Sequence, residues 1–357
     1  MQPFGTPPGP ETDPQLRLTS ACSVAPTFKE QAEALMLQLA NRKRNPARNS
    51  TIRAWRSTLG KWIYPAIGDL PLGEVKHSTV KPLISAMSEA GLSAGTIDVD
   101  FRLVKRVVAS YEDEQGEPIF VRRWSPEFLD LPIIEQHSLN RPCFDEETVN
   151  MLARWRFPRE RMFFILAAAS GGRANELLGL DICQHISPDF STLRIERQVS
   201  RGRIVDCVKT LASYREIDLH FSVARVLKRF VGTRTSGLLF STSKETPLNL
   251  TNILSVHLHP ALRELGYINS CTGKTLAGTH AFRRFRNTQL GKCPGLPESL
   301  QKYWMGHRDP SMTGKYDKFA DDREFRKMWA QRCGIGFELP IDCAAPDSLE
   351  GDFEIYS

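Results

Sequence analysis

No run of apolar side chains in the 357 residues approaches the roughly 18 that a membrane span needs. The most apolar stretch, Met162 to Ala169 (MFFILAAA), is far too short and belongs in a core. The eight cysteines, at 22, 143, 183, 207, 271, 293, 333 and 343, form no Cys-x-x-Cys pair and no Cys/His grouping with zinc-ligand spacing. They read as reduced, mostly buried thiols, and neither a metal nor another cofactor is expected. The one His-x-His, His257 and His259, would point its side chains about 200° apart on the helix expected there. A Walker loop and a carboxylate cluster are both missing, so nothing suggests ATP- or metal-driven chemistry. The N-terminal MQPFGTPPGPETDPQ has no basic region followed by an apolar one, so no secretion signal is read and a cytoplasmic, nucleoid-associated protein is expected.

What is present is the composition of a packed protein, 41% hydrophobic and 25% charged, at a length that favours two domains. Its charge is unevenly spread. Between Phe28 and Tyr64 eight Lys/Arg stand against two acids, whereas Gly336 to Ser357 holds six acids and no Lys or Arg. Removing that tail from the net +6 leaves +6 − (−6) = +12, a balance suited to a polyanion. A solvated helix face would account for the basic run equally well, so charge alone decides nothing.

The spacing of apolar residues divides the chain further. Residues 1–27 are rich in Pro, Gly, Thr and Ser without apolar period, a disordered arm. A helical domain over 28–112 follows. Its first helix is expected over Phe28–Ala40; its second starts after Asn49-Ser50-Thr51, residues suited to capping, with Ile52, Trp55, Leu59 and Trp62 on one stripe. Leu72–Ala90 and Ser93–Tyr111 read as two more helices. Residues 113–141 read as a linker, 142–335 as a second domain and 336–357 as an acidic tail. The second domain opens with helices near 145–155 and 158–170. Short runs at Leu193/Ile195, Ile204/Val205/Val208 and Ile217/Leu219 then predict a small three-stranded antiparallel sheet, after which helical spacing returns. The fold class is mainly α with a small antiparallel β-sheet.

Four separated features carry chemistry. Gly171-Gly172-Arg173 closes an apolar helix and sets Glu176 three residues beyond Arg173; the planar fork of an arginine grips phosphate, although a surface Arg–Glu pair has the same spacing. Lys209, in a turn region between strands, is placed to protonate a leaving oxygen, although most hairpin lysines are merely exposed. Thr279-His280-Ala281-Phe282-Arg283 puts two cationic donors at i and i+3 on a helix start, provided Thr279 caps it. Lastly, Gly306-His307 is followed nine residues later by Tyr316. A phenol titrates near 10 and needs cations around the phosphate it attacks, which Arg173, His280, Arg283 and His307 can supply. Tyr303 competes as nucleophile, but sits in the apolar helix Leu300–Met305 and reads as a packing residue.

Arg-x-x-Glu, then Lys, then His-x-x-Arg, then Gly-His with a tyrosine nine residues on, in that order, resembles the signature of the tyrosine recombinases, the phage-integrase family of site-specific recombinases. The resemblance spans about Phe28 to Cys333 and implies a helical core-binding domain that contacts DNA and a catalytic domain. It implies an arginine clamp on the phosphate (Arg173, Arg283) and a general acid (Lys209). His280 would be an acid/base and phosphate contact, His307 a phosphate hydrogen-bond donor, Glu176 a structural support and Tyr316 the nucleophile, forming a 3′-phosphotyrosine that later rejoins without ATP. DNA contacts are expected from Arg42, Lys43, Arg44, Arg48, Arg53 and Arg56. Implied partners are double-stranded DNA in a C-shaped clamp, three further copies in a homo-tetramer on two DNA sites, and accessory DNA-bending proteins, with no membrane. The alternatives are a type IB topoisomerase-like enzyme and a non-catalytic DNA-binding regulator derived from a recombinase.

Overall fold

The computed structural model describes residues 25–134, 142–206, 214–267, 275, 277–307 and 321–340; Lys209, Tyr316 and nearly all of the expected N-terminal arm lie outside them. Two units divide the chain between Leu139 and Asn140. Helix α1 (Phe28–Asn41) of the first unit starts on a capping box: Thr27 Oγ1 accepts from Glu30 N at 3.2 Å, and Glu30 Oε2 accepts from Thr27 N at 2.9 Å. Helix α2 (Asn49–Thr58) runs through a π turn over Leu59–Ile63 into α3 (Tyr64–Ile67). The cap position is Arg48, with no side-chain cap bond, so Asn49-Ser50-Thr51 form the first turn rather than the cap. The π turn, with its extra residue, brings Ile63 inward beside Leu59, while Trp55 and Trp62 stay half-exposed at the edge of the core.

The helix expected over Leu72–Ala90 is broken. A 3₁₀ turn, Leu72–Glu74, precedes α4 (His77–Glu89), and Lys76 between them is extended, its N–H donating to Thr79 Oγ1 at 2.9 Å. Helix α5 (Ala94–Val108) is capped by Ser93 and turns Ile97, Phe101, Val104 and Val107 inward. The described part of the segment read as a linker is built onto this unit. Trp124 packs edge-on against Phe101 with ring centroids 5.5 Å apart, Ser125 N donates to His77 Nε2 at 3.0 Å, and α6 (Pro126–Leu129) buries Leu129 completely. Trp124 and Leu129, without a local apolar period, gave no sign of this.

The second unit is organised around α8 (Pro158–Ser170), preceded by α7 (Glu146–Leu152). Every residue from Met162 to Ser170 is buried, which is why this stretch is apolar on all sides: α8 is the central helix. Helices α9 (Ala174–Leu177) and α11 (Phe221–Val231) pack against it, and α10 (Ile182–His185) lies between them in the chain. A helix begun by α12 (Leu250–Asn252) passes through a π turn into α13 (His259–Glu264). Helices α14 (His280–Gly291), α15 (Glu298–Met305) and α16 (Arg323–Cys333) close the unit.

The β structure is two ladders, not one three-stranded sheet. Strand β1 (Thr192–Ile195) pairs antiparallel with β4 (Arg215–Asp218), with Ile195 opposite Arg215 and Thr192 opposite Asp218. Strands β2 (Gln198–Ser200) and β3 (Arg203–Val205) pair with each other across Arg201-Gly202, both at positive φ, the turn that suits a two-residue hairpin. Residues 198–200 supply the partner that the sequence pattern missed, so the middle run pairs locally. The expected tail also begins later than read: Ile335 and Phe337 are buried, Phe337 edge-on to Phe285, and Glu338 N donates to Asn150 Oδ1 at 2.7 Å. None of the four described free cysteines is buried, against the sequence reading: Cys143 and Cys183 are exposed, Cys293 and Cys333 half-buried. Among the described residues no helix is long and apolar enough to cross a membrane.

Candidate active site

Helix α8 ends at Gly171, whose φ of 65° is left-handed, and a Cβ there would stand 2.6 Å from the Met305 methyl and 3.2 Å from Arg286. The glycine lets three segments meet. Arg173, just beyond, occupies the cap position of α9; Glu176 accepts from its backbone N–H at 3.0 Å and from its Nη1 at 2.7 Å. The Arg-x-x-Glu spacing therefore builds an internal brace that aims the guanidinium. Arg173 is 26% exposed at its side chain and Glu176 only 2%, so the arginine faces outward on a buried acid.

Helix α15 ends on Gly306, again left-handed at φ 59°, with Gly306 N donating to Tyr303 O at 2.9 Å and His307 N to Lys302 O at 3.0 Å. This pair of bonds turns the chain sharply enough to bring His307 to Arg283. Arg283, on the first turn of α14 and 8% exposed, donates Nη1 to Gly171 O at 2.8 Å and Nη2 to Met305 O, and its Nη2 lies 3.1 Å from His307 Nε2. An arginine only donates, so Nε2 accepts and the proton of neutral His307 sits on Nδ1, facing away as a donor. His280 is exposed one turn earlier on α14. Thr279 does not cap that helix: its backbone is already helical and its side chain makes no cap bond.

The sequence reading missed the residue that joins these parts. Arg215, on β4 with a fully buried side chain, donates Nη2 to Glu176 Oε2 at 2.9 Å and Nε to Trp304 O at 2.7 Å. It ties the Arg173 brace to the turn that presents His307. A Cβ on Gly306 would lie 3.0 Å from Arg215 Nη1, a second reason for glycine there. Arg215 stands two residues from Ser213 in an ordinary alternating strand, and only its inward register, opposite Ile195, could have marked it.

Arg173, Glu176, Arg283 and His307 are thus brought together from three distant segments, while Lys209 and Tyr316 fall outside the described residues. Burial and the neighbouring Arg173 and Arg215 push Arg283 down to about 10. Burial raises the Glu176 carboxyl, but the charge of Arg215 and the hydrogen bonds from Arg215 and Arg173 leave it below its ordinary value. Such a crowd of cations around one carboxylate is stabilised by an added anion.

His307 carries the same signature. Burial, then Arg283, Arg173 and Arg215, lowers it from the ordinary 6.5. Its folded-state pKa is below the unfolded one, so its contribution to stability is present above the ordinary value and is lost as pH falls through the depressed one. A bound phosphate diester would raise it again, so binding takes up protons. NMR titration of the His307 ring is expected to give a value below 6.5 in the free protein and a higher one with duplex DNA added; an unchanged value would mean that the anion sits elsewhere.

Tyr303, the competing tyrosine, is held otherwise. Its hydroxyl accepts from Glu216 N at 3.0 Å, burial raises its pKa, and the Arg326 guanidinium stands 5.7 Å from its ring centroid. Buried Arg326 bridges Glu216 and Asp218, and Asp218 also accepts from Trp304 Nε1 at 3.0 Å, so α15, α16 and β4 share one polar core. The cleft of about 600 Å³ above them is mixed in charge, with Arg194 and Arg323 facing Glu196 and Glu216.

In the first unit Arg42, Lys43, Arg44, Arg48, Arg53 and Arg56 are all exposed along the α1–α2 connection and α2. Arg56 lies 3.1 Å from Glu33 with the two side chains 55% and 44% exposed, a pairing that water and salt weaken and that a phosphate can replace. Among the described residues no group of three His, Cys, Asp or Glu is placed to hold a metal.

No protein-family model and no curated protein sequence matches the chain. Solved structures do. The Tn1549 transposon integrase in complex with transposon right-end DNA aligns with a TM-score of 0.61 and 19% identity, over 85% of this chain and 99% of that one. This is an integrase fold. A lambda integrase dimer bound to a COC′ core site aligns at 0.56 and 14%, over 84% of this chain and 96% of that one. A lambda integrase tetramer bound to a Holliday junction aligns at 0.56 and 14%, over 85% and 84%. The integrase fold thus extends through both units.

Proposed function

We propose that this chain is a tyrosine recombinase that cuts and rejoins DNA at specific sites, with Tyr316 as nucleophile. One observation carries the reading: Arg173, Arg283 and His307, remote in sequence, converge around a single buried support made by Glu176 and Arg215. The integrase fold and the ordered motif support it.

In the proposed reaction Arg173 and Arg283 hold the non-bridging oxygens of one DNA phosphate, and His307 donates its Nδ1 proton to the same group. The Tyr316 oxygen attacks phosphorus as His280 takes up the phenolic proton. The bond to the 5′ oxygen breaks, and Lys209 gives that oxygen a proton, leaving a free 5′ hydroxyl and a 3′-phosphotyrosine. Attack by a 5′ hydroxyl from another strand reverses each step and releases the tyrosine. Fixed cations supply the charge stabilisation that phosphoryl transfer requires, and they do so without reorganising. The exposed Arg42, Lys43, Arg44, Arg48, Arg53 and Arg56 add phosphate contacts, which makes affinity salt-sensitive. Double-stranded DNA is the partner, and four copies on two DNA sites, with accessory DNA-bending proteins, the proposed assembly.

The test is to incubate the protein and a Tyr316→Phe variant with nicked duplexes from the flanks of its own gene and look for covalent adducts. A 3′ adduct lost in the variant is expected. An adduct that persists would move the nucleophile to another residue. Tight, salt-sensitive binding without any adduct would favour a non-catalytic DNA-binding protein, and relaxation of supercoils without exchange between sites a topoisomerase.

A further inference from the structure

Away from the Arg173–His307 cluster, the loop that follows α14 and the last residue of α16 bring two thiols together. Cys333 Sγ lies 2.8 Å from Cys293 Sγ, and both residues are half-buried, so the pair is within reach of a small reagent in solvent. The remaining described free cysteines, Cys143 and Cys183, are exposed.

The surroundings of the pair are unusual for inert core thiols. Arg286, in the middle of α14, is buried and donates Nη1 to Gly334 O at 2.6 Å, and among the described residues no carboxylate pairs with it. Burial pushes this guanidinium down to about 10, and the two neighbouring sulfurs pull it back up. The acidic groups that face this buried cation are thus the thiols themselves. Burial and the hydrogen bond that it donates to Cys293 raise Cys333, so Cys293, the acceptor of that bond, is the sulfur placed to attack first. A thiolate beside a cation is the reactive form of cysteine, and a second thiol in contact is what resolves a mixed disulfide.

We infer that Cys293 and Cys333 form a reversible redox pair that exchanges with small disulfides such as oxidised glutathione. The Cys293 thiolate attacks one sulfur of the oxidant, forming a mixed disulfide and releasing one thiolate. The Cys333 sulfur then attacks Cys293, breaks the mixed disulfide and releases the second. Two protein thiols are oxidised, one small disulfide is reduced to two thiols, and the two protein protons go to the departing sulfurs. The bond formed would close residues 293–333 into a ring. In the sequence that ring contains His307 and Tyr316, and it would be tied to the helix that carries Arg283. Constraining a loop of this length stabilises mainly by restricting the unfolded chain. The inference does not depend on the function proposed above.

The experiment uses the full chain. Protein is equilibrated with reduced and oxidised glutathione at increasing ratios, remaining thiols are blocked by alkylation, and the products are digested with trypsin and a glutamate-specific protease. That double cut separates Cys333, in CGIGFE, from Cys343. The expected product is CPGLPE joined to CGIGFE with the loss of two hydrogens, reversed by excess dithiol, together with a higher thermal midpoint. In Cys333→Ser, Cys293 should stop at the glutathione adduct; if that variant does not fold, the wild-type digest still decides. Glutathione adducts on Cys293 or Cys333 that never resolve, a cross-link to Cys343 instead, or unmodified Cys293 and Cys333 while Cys143 reacts would each overturn the inference.

Discussion

Replacing Arg215 by methionine is expected to destabilise the second unit by about 3–5 kcal/mol, the cost of removing one partner from a buried ion pair. Its side chain is fully buried and Glu176 is 2% exposed, so the abandoned carboxylate has no water to turn to and keeps only Arg173 on one side. The Trp304 carbonyl also loses its donor. Urea unfolding followed by circular dichroism would measure the loss, and a change under about 1 kcal/mol would refute the role given to Arg215. Pairing Arg215→Met with Glu176→Leu should restore part of the stability, since no buried carboxylate is then abandoned, although Arg173, 26% exposed, loses its ion pair and the Trp304 carbonyl still lacks its donor. The double variant should nevertheless stay poor at cleaving DNA, because Arg173 has then lost the brace that aims it.

Arg283→Lys should lower the rate of DNA cleavage by about 10²–10³, the range for removing one oriented donor from a transition state. A lysine keeps the charge, but its single nitrogen cannot reach Gly171 O, Met305 O and His307 together, as the guanidinium does. On the proposed reading, binding to duplex DNA should weaken far less, since the exposed basic residues of the first unit would still supply phosphate contacts. Single-turnover cleavage of a nicked duplex separates the two effects. Cleavage at the wild-type rate would mean that Arg283 only supports the fold.

Much of the cluster was legible in the sequence because its members are held by local devices. Arg173 and Glu176 are three residues apart on one turn, and Gly306-His307 is a helix end. The central place of α8 was equally legible, since a helix that is apolar on every side can only be enclosed. The exposed basic residues of α2 were visible as those off its apolar stripe.

What the sequence left open rests on contacts between distant segments. Whether residues 204–205 pair with β1 or with 198–200 depends on register, and short runs of three residues fit either. The fate of 113–134 depended on Trp124 and Leu129 finding the first unit's core. Arg215 and the Cys293–Cys333 pair carry no periodic signal, because an alternating strand looks the same whether its inward arginine meets a carboxylate or solvent. The sequence by itself determined several of the longer helices, the burial of the apolar one and the order of the motif residues, all of which follow from spacing along one element. Only the tertiary structure decided which cations share a carboxylate and which thiols touch, since those energies depend on burial and on a few ångströms between elements that the chain's order does not record.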